Sequence, residues 1–213
     1  RVALVDPLLT LSMPPELTAA TGLDAFTQLL EAFVTPLSNP LTDGICREGL
    51  KRAARSLGRA YRNGDDRRAR EDMSLASLFG GLALANAKLG AVHGFAGPLG
   101  GMFSAPHGTV CARLLPYVME GNVSALKDRK PDSPALPRYR ELARIVTGNP
   151  EAGAEEGVEW VKELCRELDV PSLSEFGLTG DDFSDVIEKA RDSSSMRGNP
   201  IKLETGELEN ILK

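Results

Sequence analysis

Beyond Pro14-Pro15, apolar residues recur at the three-to-four-residue spacing of an α-helix and almost nowhere in the alternation of a strand. In Ala25–Phe33, Phe26, Leu29, Leu30 and Phe33 form one apolar stripe, while Asp24, Gln28 and Glu31 form a separate polar row. A second helix is predicted over Leu41–Tyr61, with Ile45, Ala53 and Leu57 inward, "KRAAR" (51–55) outward and Asn63-Gly64 as a stop tolerant of left-handed backbone. The next begins as a charged, solvated face, "DDRRARED" (65–72), and becomes apolar all round at "MSLASLFGGLALANA" (73–87). Such a helix is expected at the centre of the fold, and Gly80-Gly81 predicts close approach by a neighbour.

Further helices are predicted at Thr109–Met119, kinked or shortened by Pro116, and at Pro137–Val146 after a polar loop, "KDRKPDSPALP" (127–137). Three more follow: Ala154–Leu168, one capped by Thr179 and running to Lys189, and Glu204–Leu212. Val2–Val5 ahead of Asp6-Pro7 reads as a short strand with nothing downstream to pair with. The fold class expected is therefore all-α, a multi-helix bundle with a residual N-terminal strand. Residues 1–14 are read as the end of a preceding α/β domain and linker, and 15–213 as the helical domain.

A net charge of −5 disfavours nucleic acid or an anionic membrane as partner, and no apolar run approaches the roughly 18 residues of a membrane span. Three widely spaced cysteines, Cys46, Cys111 and Cys165, do not make a disulfide framework and fit a reducing cytoplasm.

Chemistry is sparse. The only histidines, His93 and His107, lie in the glycine-rich stretch "GAVHGFAGPLGGMFSAPHGTV" (90–110), each at a predicted helix start. Asp24 and Gln28, four apart, share a helix face. Two imidazoles, a carboxylate and a fourth group suit a borderline divalent metal such as Fe²⁺ or Zn²⁺. On pattern alone a histidine among small apolar residues is more often a hydrogen-bonded core group, and Asp24 could equally cap the helix at Ala25. "GPLGG" (97–101) lacks the strand–turn–helix setting of a phosphate loop, and the basic clusters at 51–55 and 67–70 read as solvated faces.

Four blocks in order and at suitable spacing carry a resemblance: "DPLLTLSMPPELTAATGLDAFTQLLEAF" (6–33), "NPLTD" (39–43), "ANAKLGAVHGFAGPLGGMFSAPHG" (85–108) and "LLPYVMEGN" (114–122). Asn199-Pro200 before the last helix also fits. Together they resemble the C-terminal helical domain of iron-containing, group III alcohol dehydrogenases, whose relatives include maleylacetate reductases, glycerol dehydrogenases and dehydroquinate synthases. The resemblance implies a two-domain protein with NAD(P) bound by an N-terminal domain absent from this chain. It implies an active site between the domains, an alcohol or aldehyde substrate and often a homodimer. The implied metal ligands are Asp24, Gln28, His93 and His107. Gln28 stands where the family has an imidazole, and Gly97 where it has a further histidine suited to proton transfer. A metal-independent, maleylacetate-reductase-like enzyme and a non-catalytic helical relative are the alternatives, Lys88 and Arg113 being candidate carboxylate contacts for the former. The chain alone is expected neither to bind NAD(P) tightly nor to turn over.

Overall fold

The computed structural model describes residues 2–213; Arg1, the first residue of the expected linker, lies outside them. Among the described residues the fold is all-α: α1 Pro15–Val34, α2 Pro40–Arg62, α3 Arg67–Asn86, α4 Ala91–Phe103, α5 His107–Arg129, α6 Ala135–Thr147, α7 Ala154–Glu167, α8 Phe183–Asp192 and α9 Thr205–Leu212. Short 3₁₀ turns join some of them, including one at Pro7–Thr10. The strand expected at Val2–Val5 does not form. The segment is exposed and without strand geometry, as follows for a lone strand with no sheet to complete its hydrogen bonds.

α1 is the axis of the bundle and packs on α2, α3 and α5. Its predicted stripe of Phe26, Leu29, Leu30 and Phe33 is fully enclosed. The helix starts eleven residues before that stripe because Pro15 opens its first turn, where the missing N–H costs nothing. Asp24 is therefore in the helix interior, and the capping role open to it at Ala25 is excluded. α5 continues past Pro116 to Arg129, ten residues beyond the predicted end. α2 does end at Asn63-Gly64, but Asn63 is extended, with φ −138°, rather than left-handed.

α3 departs most from expectation. It meets α1, α2 and the N-terminal turn, and among the described residues no element covers its opposite side. Leu78, Leu82 and Leu84 are 37%, 42% and 43% exposed there, so the helix is half-buried rather than central. The predicted close approach holds at Gly80, where a Cβ would lie 2.8 Å from the Gln28 amide oxygen, whereas Gly81 faces open space.

The basic clusters are not simply solvated. Arg70 is buried and donates to the Gly64 and Met13 carbonyls and the Thr18 hydroxyl, tying the start of α3 to that of α1. Arg52 and Arg55 reach from α2 to Asp72 on α3 at 2.7–2.8 Å, and the Ser56 hydroxyl donates to the same carboxylate. Burial opposes the Asp72 charge, but these donors outweigh it and bring its pKa down to about 2 from 3.8. Folding thus favours ionised Asp72; its stabilisation is fully present above pH 3.8 and is lost as pH falls towards 2. Asp72→Asn should cost about 1–3 kcal/mol at neutral pH in urea denaturation, with a shallower loss of stability on acidification. A variant as stable as the parent at pH 7 would mean the cluster is no tie between α2 and α3.

Candidate metal centre

Three helices bring the candidate residues together. Asp24 lies mid-way along α1, His93 in the first turn of α4, and His107 at the first position of α5. Both histidines sit at helix starts, as expected. Two glycines allow the approach: a Cβ on Gly90 would lie 2.8 Å from Glu31 Oε1, and one on Gly108 2.6 Å from the Ala20 carbonyl. α4 and α5 can therefore begin directly against α1.

α4 has no capping side chain of its own, since its N-cap is Gly90. Two residues from elsewhere accept its free N–H groups: Asn199 Oδ1 from Ala91 at 3.2 Å and Glu31 Oε1 from Val92 at 2.8 Å. The other Glu31 oxygen lies 2.6 Å from His93 Nδ1. That bond places the Nδ1 proton toward Glu31 and leaves Nε2 free to face α1 and α5, the arrangement by which an outer carboxylate orients a metal-ligating imidazole. Asn199 is itself held by Asn122, which also donates to the Tyr139 hydroxyl.

His93 Nε2 lies 3.3 Å from Asp24 Oδ1, which is 3.6 Å from His107 Nε2. His93 Nε2 and Asp24 Oδ1 are buried, and neither has a hydrogen-bond partner among the described residues. Orphaned buried polar atoms are rare in proteins, and a pair turned toward each other fits a missing cation. Cys111, one turn after His107 on α5, joins the group: one donor atom each from Asp24, His93, His107 and Cys111 lie within 4.8 Å of one another. The chemistry of this set, a carboxylate, two imidazoles and a thiol, suits a borderline divalent ion. Access is one-sided: His93 and Cys111 are buried, whereas the His107 side chain is 53% exposed.

The electrostatics agree. Burial favours neutral His93, but Asp24, Cys111 and Glu31 outweigh it and raise its pKa to about 12. Burial likewise disfavours the Asp24 carboxylate, yet His93 and His107 hold its pKa below the ordinary value. Burial pushes the Cys111 thiol up to about 11. The carboxylates around the His93 ring thus favour a positive charge in the pocket.

Gln28 is beside the cluster, its amide nitrogen donating to Asp24 Oδ2 at 3.1 Å. Gly97 faces open space, so no residue replaces an imidazole there. Lys88 is exposed ahead of α4, and Arg113 lies over the Tyr117 ring, 5.2 Å from its centroid. Sequence reasoning missed Glu31 and Cys111 as site residues. Both signals were present, since Glu31 belongs to the polar row of Asp24 and Gln28, and Cys111 is four residues after His107.

The profile described as "Fe-containing alcohol dehydrogenase family, C-terminal" matches residues 18–213. Alcohol dehydrogenase 4 of Saccharomyces cerevisiae is 38% identical over 213 residues, covering 100% of this chain and 54% of the relative. The 1,3-propanediol dehydrogenase of Klebsiella pneumoniae is 35% identical over 214 residues, again 100% and 54%. The solved alcohol dehydrogenase from Oenococcus oeni superposes with a TM-score of 0.87 at 37% identity, covering 97% of this chain and 53% of that one. The chain spans about half the length of the curated relatives it matches.

Glu31→Ala should strand the Val92 N–H and the His93 Nδ1–H in a buried setting, lowering stability by about 2–4 kcal/mol in urea denaturation. Glu31→Gln, which keeps one acceptor, should lose less. Equal stability of all three forms would rule out this carboxylate as the clamp on α4.

Proposed function

The chain belongs to the iron-containing alcohol dehydrogenase family, and we propose that it serves as the metal-binding, substrate-side domain of an NAD(P)-dependent alcohol dehydrogenase. In this reading the whole protein moves hydride between an alcohol or aldehyde and nicotinamide. The nicotinamide cofactor is bound mainly by a further domain outside these 213 residues. The observation that carries it is the pair of orphaned buried atoms, Asp24 Oδ1 and His93 Nε2, at 3.3 Å with His107 alongside.

Asp24, His93 and His107 would hold Fe²⁺ or Zn²⁺, with Gln28 supporting Asp24 through its amide. Such an ion supplies Lewis-acid polarisation of the alcohol or carbonyl oxygen. The chain's own residues do the rest. Glu31 fixes the His93 tautomer, and the packed α1–α4–α5 corner keeps water from the inner side. The exposed edge of His107 leaves one side for a small alcohol to enter. No protein imidazole stands at position 97, so a proton leaving the substrate would pass to solvent along that open side. The three free cysteines support a reducing compartment such as the cytoplasm, and among the described residues no single helix is long and apolar enough to cross a membrane.

Equilibrium dialysis of the metal-stripped chain against Fe²⁺ (anaerobic) or Zn²⁺ should give one ion per chain, with affinity lowered at least about 100-fold in Asp24→Ala and His93→Ala. The full-length protein, metal-loaded, should reduce NAD(P) with a primary alcohol, and both variants should lose that activity. Sub-stoichiometric metal with unchanged affinity in the variants would overturn the proposal.

A further inference from the structure

Gln28 leaves the metal site short of a donor. Its amide nitrogen is turned to Asp24 and its oxygen to Gly80 on α3, and an amide nitrogen offers a cation no lone pair. Cys111 stands where a donor is needed. One helical turn after His107, it shares that residue's face, and its Sγ lies 3.6 Å from His107 Nε2. A tetrahedral ion with bonds of about 2.0–2.3 Å needs donors about 3.3–3.8 Å apart. The separations Asp24–His93 at 3.3 Å, Asp24–His107 at 3.6 Å and His107–Cys111 at 3.6 Å all fall in that range.

Resting on the metal-centre reading above, we propose that the Cys111 thiolate is the ion's fourth ligand, supplying the donor Gln28 does not, and that it tilts the site toward zinc-like ions over Mg²⁺ and Mn²⁺. A thiol that merely hydrogen-bonds to His107 would satisfy neither His93 Nε2 nor Asp24 Oδ1, which stay buried and unpartnered. A cation reached by all four satisfies both. One carboxylate and one thiolate also balance a divalent charge. On binding, the S–H electron pair remains on sulfur and is shared with the metal, while the proton leaves to solvent. Soft sulfur favours Zn²⁺ and Co²⁺, and hard ions that prefer oxygen lose most. The other two thiols are elsewhere: Cys165 donates to the Ala112 carbonyl, and Cys46 is buried on α2 near Asp43 and Arg138.

X-ray absorption at the zinc edge of the loaded chain should show one sulfur at about 2.3 Å among nitrogen and oxygen ligands near 2.0–2.1 Å. Co²⁺ titration of the metal-free chain should give a near-ultraviolet thiolate-to-cobalt charge-transfer band. Cys111→Ser should abolish that band, keep the visible cobalt bands at weaker affinity, and shrink the preference for Zn²⁺ over Mn²⁺ by roughly tenfold or more. The zinc spectrum needs no variant, so it decides the matter even if Cys111→Ser folds poorly. A bound ion with only nitrogen and oxygen neighbours would overturn the thiolate and leave the metal centre standing. No ion bound at all would overturn both.

Discussion

One buried carboxylate fixes the geometry on which the rest of this site depends. Glu31 is 3% exposed and accepts from two donors belonging to a different helix, Val92 N–H and the His93 ring. Removing a carboxylate from water costs several kcal/mol unless each oxygen finds a good donor. Here the two oxygens divide the tasks, one capping α4 and the other orienting the first imidazole. The helix start and the ring are therefore set by the same group. Tilting α4 would break both bonds together, which makes the position of His93 Nε2 a property of the fold rather than of a rotamer.

The same residue explains the electrostatic character of the pocket. Asp24 and Glu31 flank His93 on opposite sides, at 3.3 and 2.6 Å. Two carboxylates about one ring strongly favour a positive charge between them, and His93 is drawn far toward its protonated form against its own burial. A divalent ion would satisfy that demand better than a proton, because it would also reach His107 and Cys111. Attraction for a cation is thus built in by residues that do not all ligate it, and Glu31 contributes charge without being in reach of the free edge of the ring.

What the sequence made legible was periodicity. The stripe of Phe26, Leu29, Leu30 and Phe33 and the helix starts at both histidines followed from local rules that the fold respects. The helix expected from Thr179 begins only at Phe183, Thr179 opening a 3₁₀ turn in which its hydroxyl donates to Asp182. The misreadings are tertiary. An apolar sequence on all sides of α3 was read as central, yet which helices pack against it is a property of the whole fold, and one side stays bare. "KRAAR" looked solvated because nothing local reveals that Asp72 lies across from it. Asp24 resembled a cap because the stripe starts beside it, whereas the helix extends back to Pro15. Glu31 falls on the polar row of Asp24 and Gln28, but only those two stood out as candidate site residues. A carboxylate, an amide and a second carboxylate at i, i+4 and i+7 on the core helix is better read as a line of groups awaiting partners from other helices.

That line also accounts for the division of labour among the donors. Asp24, in a helix interior where its propensity is poor, is half-buried and held by the Gln28 amide. His93 and Cys111 are buried and equally fixed. Only His107, at the first position of α5 behind the left-handed Ser104 and Ala105-Pro106, presents an exposed edge. Rigid donors on the inner side and one accessible donor on the outer side give a site that can be entered from a single direction. Exchange of an ion, and approach of any small molecule to it, would then occur along the His107 side.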